Sequence, residues 1–367
     1  MTNRWATLGK TEGNTMKPIA ALIAPILLAV SGALTATPVL AKPAPKPVII
    51  GYLPAFKGPM LPYMDTIDLK KVTHINLSFV NPDPQGQIVN GDQMACMDTE
   101  GQGGLPVADV QAVIDRAHKA GVKVLISLGG GIIPKCSGDW PTLLKAENRA
   151  NTVKNLIRFL DDTGLDGLDV DLEWEVLTAI DTAGEYTPFV QALSAELKKR
   201  GKLLTCATAS AEGGMVPVSS VPYFDYVNIM SYDGIGPSWG TPGDEHASLD
   251  MAKHDIAVWQ ARGATKAQLV LGVPFYGHAF GSYKLGFHDY KGLLAQYGEA
   301  VAENDIIGTR CAGCDYVTYN GRPTIRLKAD LARQQGAGVM IWELTADQPG
   351  PNSLLDALYD SLNHAAD

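Results

Sequence analysis

From residue 48 onward, short apolar runs bounded by turn residues alternate with longer stretches whose apolar residues return every three or four positions. The short runs are Val48–Ala55, His74–Asn81, Lys123–Gly130, Gly167–Trp174, Leu203–Ser210, Tyr226–Asp233, Leu269–Tyr276 and Gly338–Thr345. Their length and their wealth of Val, Ile and Leu predict buried strands. Between them, Val107–Ala120, Arg149–Thr163, Tyr186–Arg200, Ser248–Arg262 and Ile325–Gln335 carry the helical period. Strands alternating with helices predict an α/β fold, here a (β/α)8 TIM barrel. A doubly wound sheet shares the alternation, but no glycine-rich phosphate loop follows the first run, so the barrel is favoured. The connection after the seventh run, about residues 277–324, exceeds the few residues of an ordinary βα loop and predicts a small inserted substructure.

One run breaks the apolar rule. Residues 166–173 read Asp166-Gly-Leu-Asp169-Val-Asp171-Leu-Glu173. On a strand, Asp169, Asp171 and Glu173 share one face and Leu168, Val170 and Leu172 the other. Desolvating an unpaired charge costs several kcal/mol, so a strand serving stability alone would not carry three carboxyls. A calcium loop also has acids at alternate positions, but it needs a glycine at its sixth position and polar spacers, whereas Val170, Leu172 and Trp174 intervene here. A solvated edge strand is disfavoured by the dense apolar flanks, Leu156 to Leu160 before and Val176 to Ile180 after. Carboxyls this close shift one another's pKa and suit acid–base chemistry. Barrels place working residues at the C-terminal ends of strands, which selects Glu173, then Tyr232 and Asp233, then Trp342. Asn228, Met230 and Tyr232 alternate onto one face of the sixth run, and Asp166 reads as a turn or cap.

The ends and the charge add context. Met16-Lys17, the apolar run Ile19 to Leu34 and the small residues near Ala41 have the layout of a cleaved export signal over residues 1–41, with 1–15 an upstream extension. The formal charge is −9, and removing residues 1–41 with Arg4, Lys10, Lys17 and Glu12 leaves −11. An acidic exported chain is not built to bind nucleic acid, and no later stretch is long and apolar enough to span a bilayer. A monomer without cofactor, secreted or periplasmic, is expected, with residues 42–367 as a single domain. The cysteines number five, so at least one is unpaired. A Cys96–Cys136 bridge is plausible, Cys206 reads as a small buried hydrophobe, and Cys311–Cys314 reads as a local bridge or a plain structural pair rather than a zinc half-site or redox pair. The seven histidines show no convincing ligand spacing, so no metal site is expected.

Residues 166–173 resemble the DGxDxDxE signature of glycoside hydrolase family 18, the chitinases and their relatives. Ser127-Leu-Gly-Gly130, Met230-Ser-Tyr-Asp233, Gly272-Val-Pro-Phe-Tyr-Gly277 and Gly338-Val-Met-Ile-Trp342 resemble the family's third-, sixth-, seventh- and eighth-strand segments, in the family's order and across nearly the whole chain after residue 41. The resemblance implies Glu173 as general acid and an attack by the substrate's own acetamido oxygen, with net retention. It implies that Asp171 orients the acetamido group, that Asp169 is held by Tyr52 and Ser127 and shares a proton or hydrogen bond with Asp171, and that Tyr232 donates to the acetamido carbonyl. Met230, Asp233 and Trp342 would line the sugar pocket, with Trp342 as its floor. The implied partner is an N-acetylglucosamine-containing polysaccharide or oligosaccharide, chitin first. An endo-β-N-acetylglucosaminidase, a peptidoglycan-directed hydrolase and a catalytically silent sugar-binding barrel are the alternatives. Two departures stand out. Glu175 occupies a position where many relatives carry proline, and the insertion is shorter than in deep-cleft relatives, which implies a more open groove and internal cleavage. Trp140 and Trp239, in loops after strands three and six, are either further sugar platforms or loop packing.

Overall fold

Eight parallel strands close into a barrel in strict chain order: β1 (Val48–Pro54), β2 (His74–Val80), β3 (Lys123–Gly130), β4 (Gly167–Leu172), β5 (Leu203–Thr208), β6 (Tyr226–Ile229), β7 (Leu269–Pro274) and β8 (Gly338–Trp342), with β8 pairing back onto β1. The coordinates are a computed structural model describing residues 46–97, 104–283 and 286–363. The expected export signal over residues 1–41 and its extension over 1–15 lie outside the described residues. No helix of the described residues is long and apolar enough to cross a membrane.

Each predicted strand is present, several of them shorter at the C-terminal end. The fourth stops at Leu172 and the sixth at Ile229, so Glu173 and the Met230–Asp233 segment lie just past the strands, on the rim. The physical reason is pairing. β6 stays in register with its neighbours only as far as Ile229, and after one last bond from Met230 N to Thr208 O of β5 the chain turns into a loop. Helices Val107–Lys119, Ala146–Thr163, Tyr186–Lys199, Leu249–Ala261 and Arg322–Gln335 lie where the periodicity predicts them. Trp174–Thr182 and Leu354–Asn363 are further helices that the pattern reading missed, the first because its start abuts the carboxyl run.

The core has two compartments. The larger lies between strands and helices and takes Leu168, Val170 and Leu172 from β4. The smaller fills the barrel with Val48, Ile50, Tyr52, Val270 and Met340, closed by Tyr232 and Tyr276. The alternation of β4 is therefore realised as expected, apolar residues outward to the helices and carboxyls inward. After β7 the insertion folds as an antiparallel sheet of Gly286–Asp289, Tyr276–Phe280, Tyr316–Thr318 and Ile306–Gly308, with the helix Tyr290–Tyr297. Lys57, from the loop after β1, bridges Asp289 of this sheet at 2.9 Å and Glu343 at the end of β8 at 2.7 Å, tying the insertion to the barrel rim.

Cys96 and Cys136 are bonded, as are Cys311 and Cys314, and Cys206 is free and buried. The Cys96–Cys136 bridge joins the loops after β2 and β3 across a sequence separation of 40. Chain-entropy arguments assign a closure of this size about 4 kcal/mol. Replacing both cysteines with serine should lower stability by about 2–4 kcal/mol in chemical denaturation; an unchanged midpoint would show that the bridge contributes nothing.

Candidate functional site

The mouth of the barrel is organised around Asp169, which is fully buried. Parallel register sets Ser127 of β3 and Thr205 of β5 at its own height on either side. Ser127 Oγ donates to Asp169 Oδ2 at 2.7 Å and Tyr52 Oη to the same oxygen at 2.6 Å. Oδ1 accepts from Thr205 Oγ1 at 2.5 Å and from Asn228 Nδ2 at 3.3 Å. Burial raises the Asp169 pKa, and these four donors pull it back. Tyr52 and Ser127 thus sit where the resemblance implies. Side chains from four other strands reach both Asp169 oxygens, and no hydrogen bond joins Asp169 to Asp171 among the described residues. Thr205 escaped notice because a hydroxyl in a strand carries no signal of its own; aligning neighbouring strands by height would have found it.

One step up, Asp171 is 3 % exposed, and its Oδ1 is buried with no hydrogen-bond partner. Burial, then the charges of Glu173 and Asp169, hold its pKa well above the usual carboxylate range. Glu173 follows on the rim, with extended backbone and half-buried, at the N-terminal end of helix Trp174–Thr182. Burial, then the charge of Asp233, push its pKa up to about 7. Glycines make room for this strand. A Cβ at Gly129 would stand 2.7 Å from the Asp171 carbonyl oxygen and one at Gly130 2.6 Å from the Phe79 ring, and both residues have positive φ, at 97° and 92°.

Opposite the carboxyls, Tyr232 is 9 % exposed and its hydroxyl makes a weak contact with Met340 Sδ at 3.8 Å. Burial, then the charge of Asp171, raise its pKa well above the ordinary value. Met230 is half-buried and packs against the interior cluster. Asp233 adopts a left-handed φ of 61°, uncommon for a residue with a side chain. Its Oδ1 accepts from Tyr276 Oη at 2.6 Å and from His278 Nε2 at 2.8 Å. Burial alone would raise its pKa, but contacts with His246 and His278 outweigh that and hold the carboxylate below the usual range. Trp342, at the end of β8, meets Tyr52 edge-on at 5.3 Å and stacks with Phe79 at 5.6 Å and 19°. The nine residues expected from the sequence thus lie inside the barrel or on its C-terminal rim, with Asp169, Tyr52 and Ser127 buried within the strands.

Others settle differently. Asp166 is structural: its Oδ2 accepts from Val124 N and contacts His118 Nε2, each at 2.8 Å. Trp140 is 1 % exposed and donates to Asn81 Oδ1, so it is core packing and no sugar platform. Trp239 remains 44 % exposed beside the mouth and donates to the Asp233 carbonyl at 2.7 Å. With Phe280 and Tyr316 it lines a groove that runs from Ile235 to Cys314. Tyr276, His278 and His246, in contact with Asp233, were not anticipated. They come from the insertion and from a loop, and no sequence spacing links them.

The model of the glycosyl hydrolases family 18 matches residues 48–347. The chain belongs to that family. Chitinase 63 of Streptomyces plicatus is 26 % identical over 339 residues, covering 76 % of this chain and 54 % of the relative. Endochitinase 1 of Metarhizium robertsii is 24 % identical over 337 residues, covering 78 % of each chain. The chain thus spans about half the length of the Streptomyces chitinases it matches. Among solved structures, the family 18 chitinase ChiB of Flavobacterium johnsoniae superposes with a TM-score of 0.73 at 33 % identity, covering 86 % of this chain and 94 % of that one. A chitinase from Bacteroides thetaiotaomicron gives 0.72 at 29 %, covering 87 % and 97 %.

The family 18 barrel thus presents a carboxyl at Glu173 that stays protonated up to about pH 7. Its ordinary value is 4.5, so the folded state holds this proton while the unfolded chain releases it; stability from this group declines as pH rises from 4.5 to about 7. Asp233→Asn removes the neighbouring charge and should lower the Glu173 pKa. Infrared difference spectra of the protonated carboxyl band, compared with Glu173→Gln, would report it, and an unmoved midpoint would contradict the Asp233–Glu173 interaction.

Proposed function

We propose that this family 18 barrel is an exported, retaining hydrolase of β-1,4-linked N-acetylglucosamine chains, chitin and chitooligosaccharides, acting by substrate-assisted catalysis. In this reading residues 1–41 are removed on export, residues 42–367 are the catalytic domain, and the protein works as a monomer. The observation that carries the proposal is a pair of unanswered polar groups. Asp171 Oδ1 is a buried acceptor without a partner, and the Tyr232 hydroxyl is a buried donor offered only a thioether. Leaving such groups unmatched costs about 1–3 kcal/mol each. An acetamido group supplies both complements, its N–H to Asp171 and its C=O to Tyr232.

The steps follow from the same geometry. Glu173, protonated near neutral pH, gives its proton to the glycosidic oxygen as the bond to the anomeric carbon breaks. The acetamido oxygen, held by Tyr232, closes on that carbon, and Asp171 stabilises the positive charge that develops on the nitrogen. Glu173, now ionised, takes a proton from water, which opens the ring intermediate from the same face and retains configuration. Asp169 does not touch substrate in this scheme; its four donors fix the strand that carries Asp171 and Glu173. Trp342 lies flat enough against Phe79 to offer its other face to a pyranose ring, with Met230 and Asp233 along the side. The chitinase names of the relatives support the substrate class.

Glu173→Gln keeps shape and loses the proton, so turnover on chitooligosaccharides should fall about 10²–10⁴-fold with sugar binding retained. Asp171→Asn should lower kcat strongly, since the acetamido group loses its orienting partner. Assays on chitooligosaccharides, high-mannose glycopeptide and peptidoglycan side by side decide the substrate: activity confined to either of the last two would overturn the chitin assignment. Wild-type turnover surviving in Glu173→Gln would overturn the acid.

A further inference from the structure

Three side chains far apart in the sequence converge at one edge of the mouth. Asp233 follows β6, His246 lies in the loop before helix Leu249–Ala261, and His278 sits on the insertion strand Tyr276–Phe280. One ligating atom from each lies within 4.8 Å of the other two. His278 Nε2 is 2.8 Å and His246 Nδ1 3.6 Å from the same Asp233 oxygen, and the imidazole rings are 5.1 Å apart. We propose that Asp233, His246 and His278 form a binding site for a divalent transition-metal ion of the zinc type, and that its occupancy switches the barrel off.

The geometry at His246 favours an ion over simple packing. His246 is fully enclosed, its Nε2 is buried without a partner, and its Nδ1 meets only the Asp233 carboxylate, at 3.6 Å. An imidazole built only to brace Asp233 would be closer than 3.6 Å, whereas two metal bonds of about 2.0–2.2 Å subtend that separation at an open angle. The donor chemistry fits as well. Two imidazoles and one carboxylate suit zinc, nickel or copper, and do not suit calcium or magnesium, which need oxygen cages. A metal requires neutral imidazole, and burial, helped by His278 and Lys328, lowers the His246 pKa to about 4 despite Asp233. The Asp233 side chain keeps 34 % exposure, which leaves one side open for entry and for a water ligand. The surroundings complete the design: Tyr276 Oη donates to the ligating carboxylate and Trp239 packs edge-on against His278 at 5.8 Å.

The consequence follows from position. A bound dication engages Asp233 Oδ1, where Tyr276 and His278 already meet, and so takes from the sugar pocket the carboxylate that the hydrolysis reading places along its side. Ion binding stands independently of the proposed hydrolysis; only the inhibition rests on it, so the two are measured separately. Chelator-treated full-length protein is titrated with Zn²⁺ by calorimetry and with Co²⁺ by visible absorption, and turnover is followed with and without EDTA. The expected result is one ion per chain, a Co²⁺ spectrum of mixed nitrogen and oxygen ligation, and loss of turnover that EDTA restores. His246→Gln and His278→Gln should each weaken Zn²⁺ binding by at least about tenfold, while His254→Gln, on the exposed face of helix Leu249–Ala261, leaves it unchanged. The Co²⁺ spectrum of the unmutated protein settles ligation even if a variant misfolds. Zn²⁺ affinity equal in all three variants, a Co²⁺ spectrum of the hexaaquo ion, or binding of Ca²⁺ as strong as Zn²⁺ would overturn the site.

Discussion

Four hydrogen bonds to one buried carboxylate set the geometry of everything above it. Asp169 is reached by donors from β1, β3, β5 and β6, so it pins opposite walls of the barrel to the middle strand. A carboxyl buried in that place is tolerable only because both oxygens are answered. The same network leaves Asp171 no donor from below. The next carboxyl up the strand is therefore left for something outside the protein.

From Asp169 to Glu173 the strand crosses from a saturated interior to a half-buried rim, and the chemistry changes with each step. Asp169 is desolvated and fully bonded. Asp171 is desolvated and unbonded at one oxygen. Glu173 is partly screened and lies within reach of the Asp233 charge. One repeated functional group thereby meets three different environments, through burial, hydrogen bonds and neighbouring charges. The glycines at 129 and 130 permit this approach on one flank, and the aromatic stack of Trp342, Phe79 and Phe56 closes another.

Much of this was legible before any coordinates. The two-residue alternation of β4 showed which faces its carboxyls and its leucines would take, because a strand has only two faces and the apolar one had to meet helices. The number and type of barrel strands were readable for the same reason: buried parallel strands demand apolar runs of characteristic length. Tyr52 and Ser127, named by the resemblance, both donate to Asp169. Strand ends were less legible. β6 was drawn to Asp233 since Met230, Ser231 and Tyr232 continue the pattern in composition, while lost pairing, invisible in one strand's own sequence, ends it at Ile229. Trp140 and Trp239 look alike in sequence, one lying in the core and the other in a groove, because what covers an indole is decided by loops from elsewhere.

By itself the sequence determined the strand and helix rhythm, the carboxyl ladder and its inward face, since these depend on local periodicity and on the expense of burying charge. Only the tertiary structure decided that Thr205 and Asn228 complete the cage of Asp169, that Asp171 and Tyr232 are left with unmet hydrogen bonds, and that His246 and His278 meet at Asp233. Those outcomes depend on barrel register and on where an insertion and a loop return, and contacts between distant segments leave no spacing in the chain from which to read them.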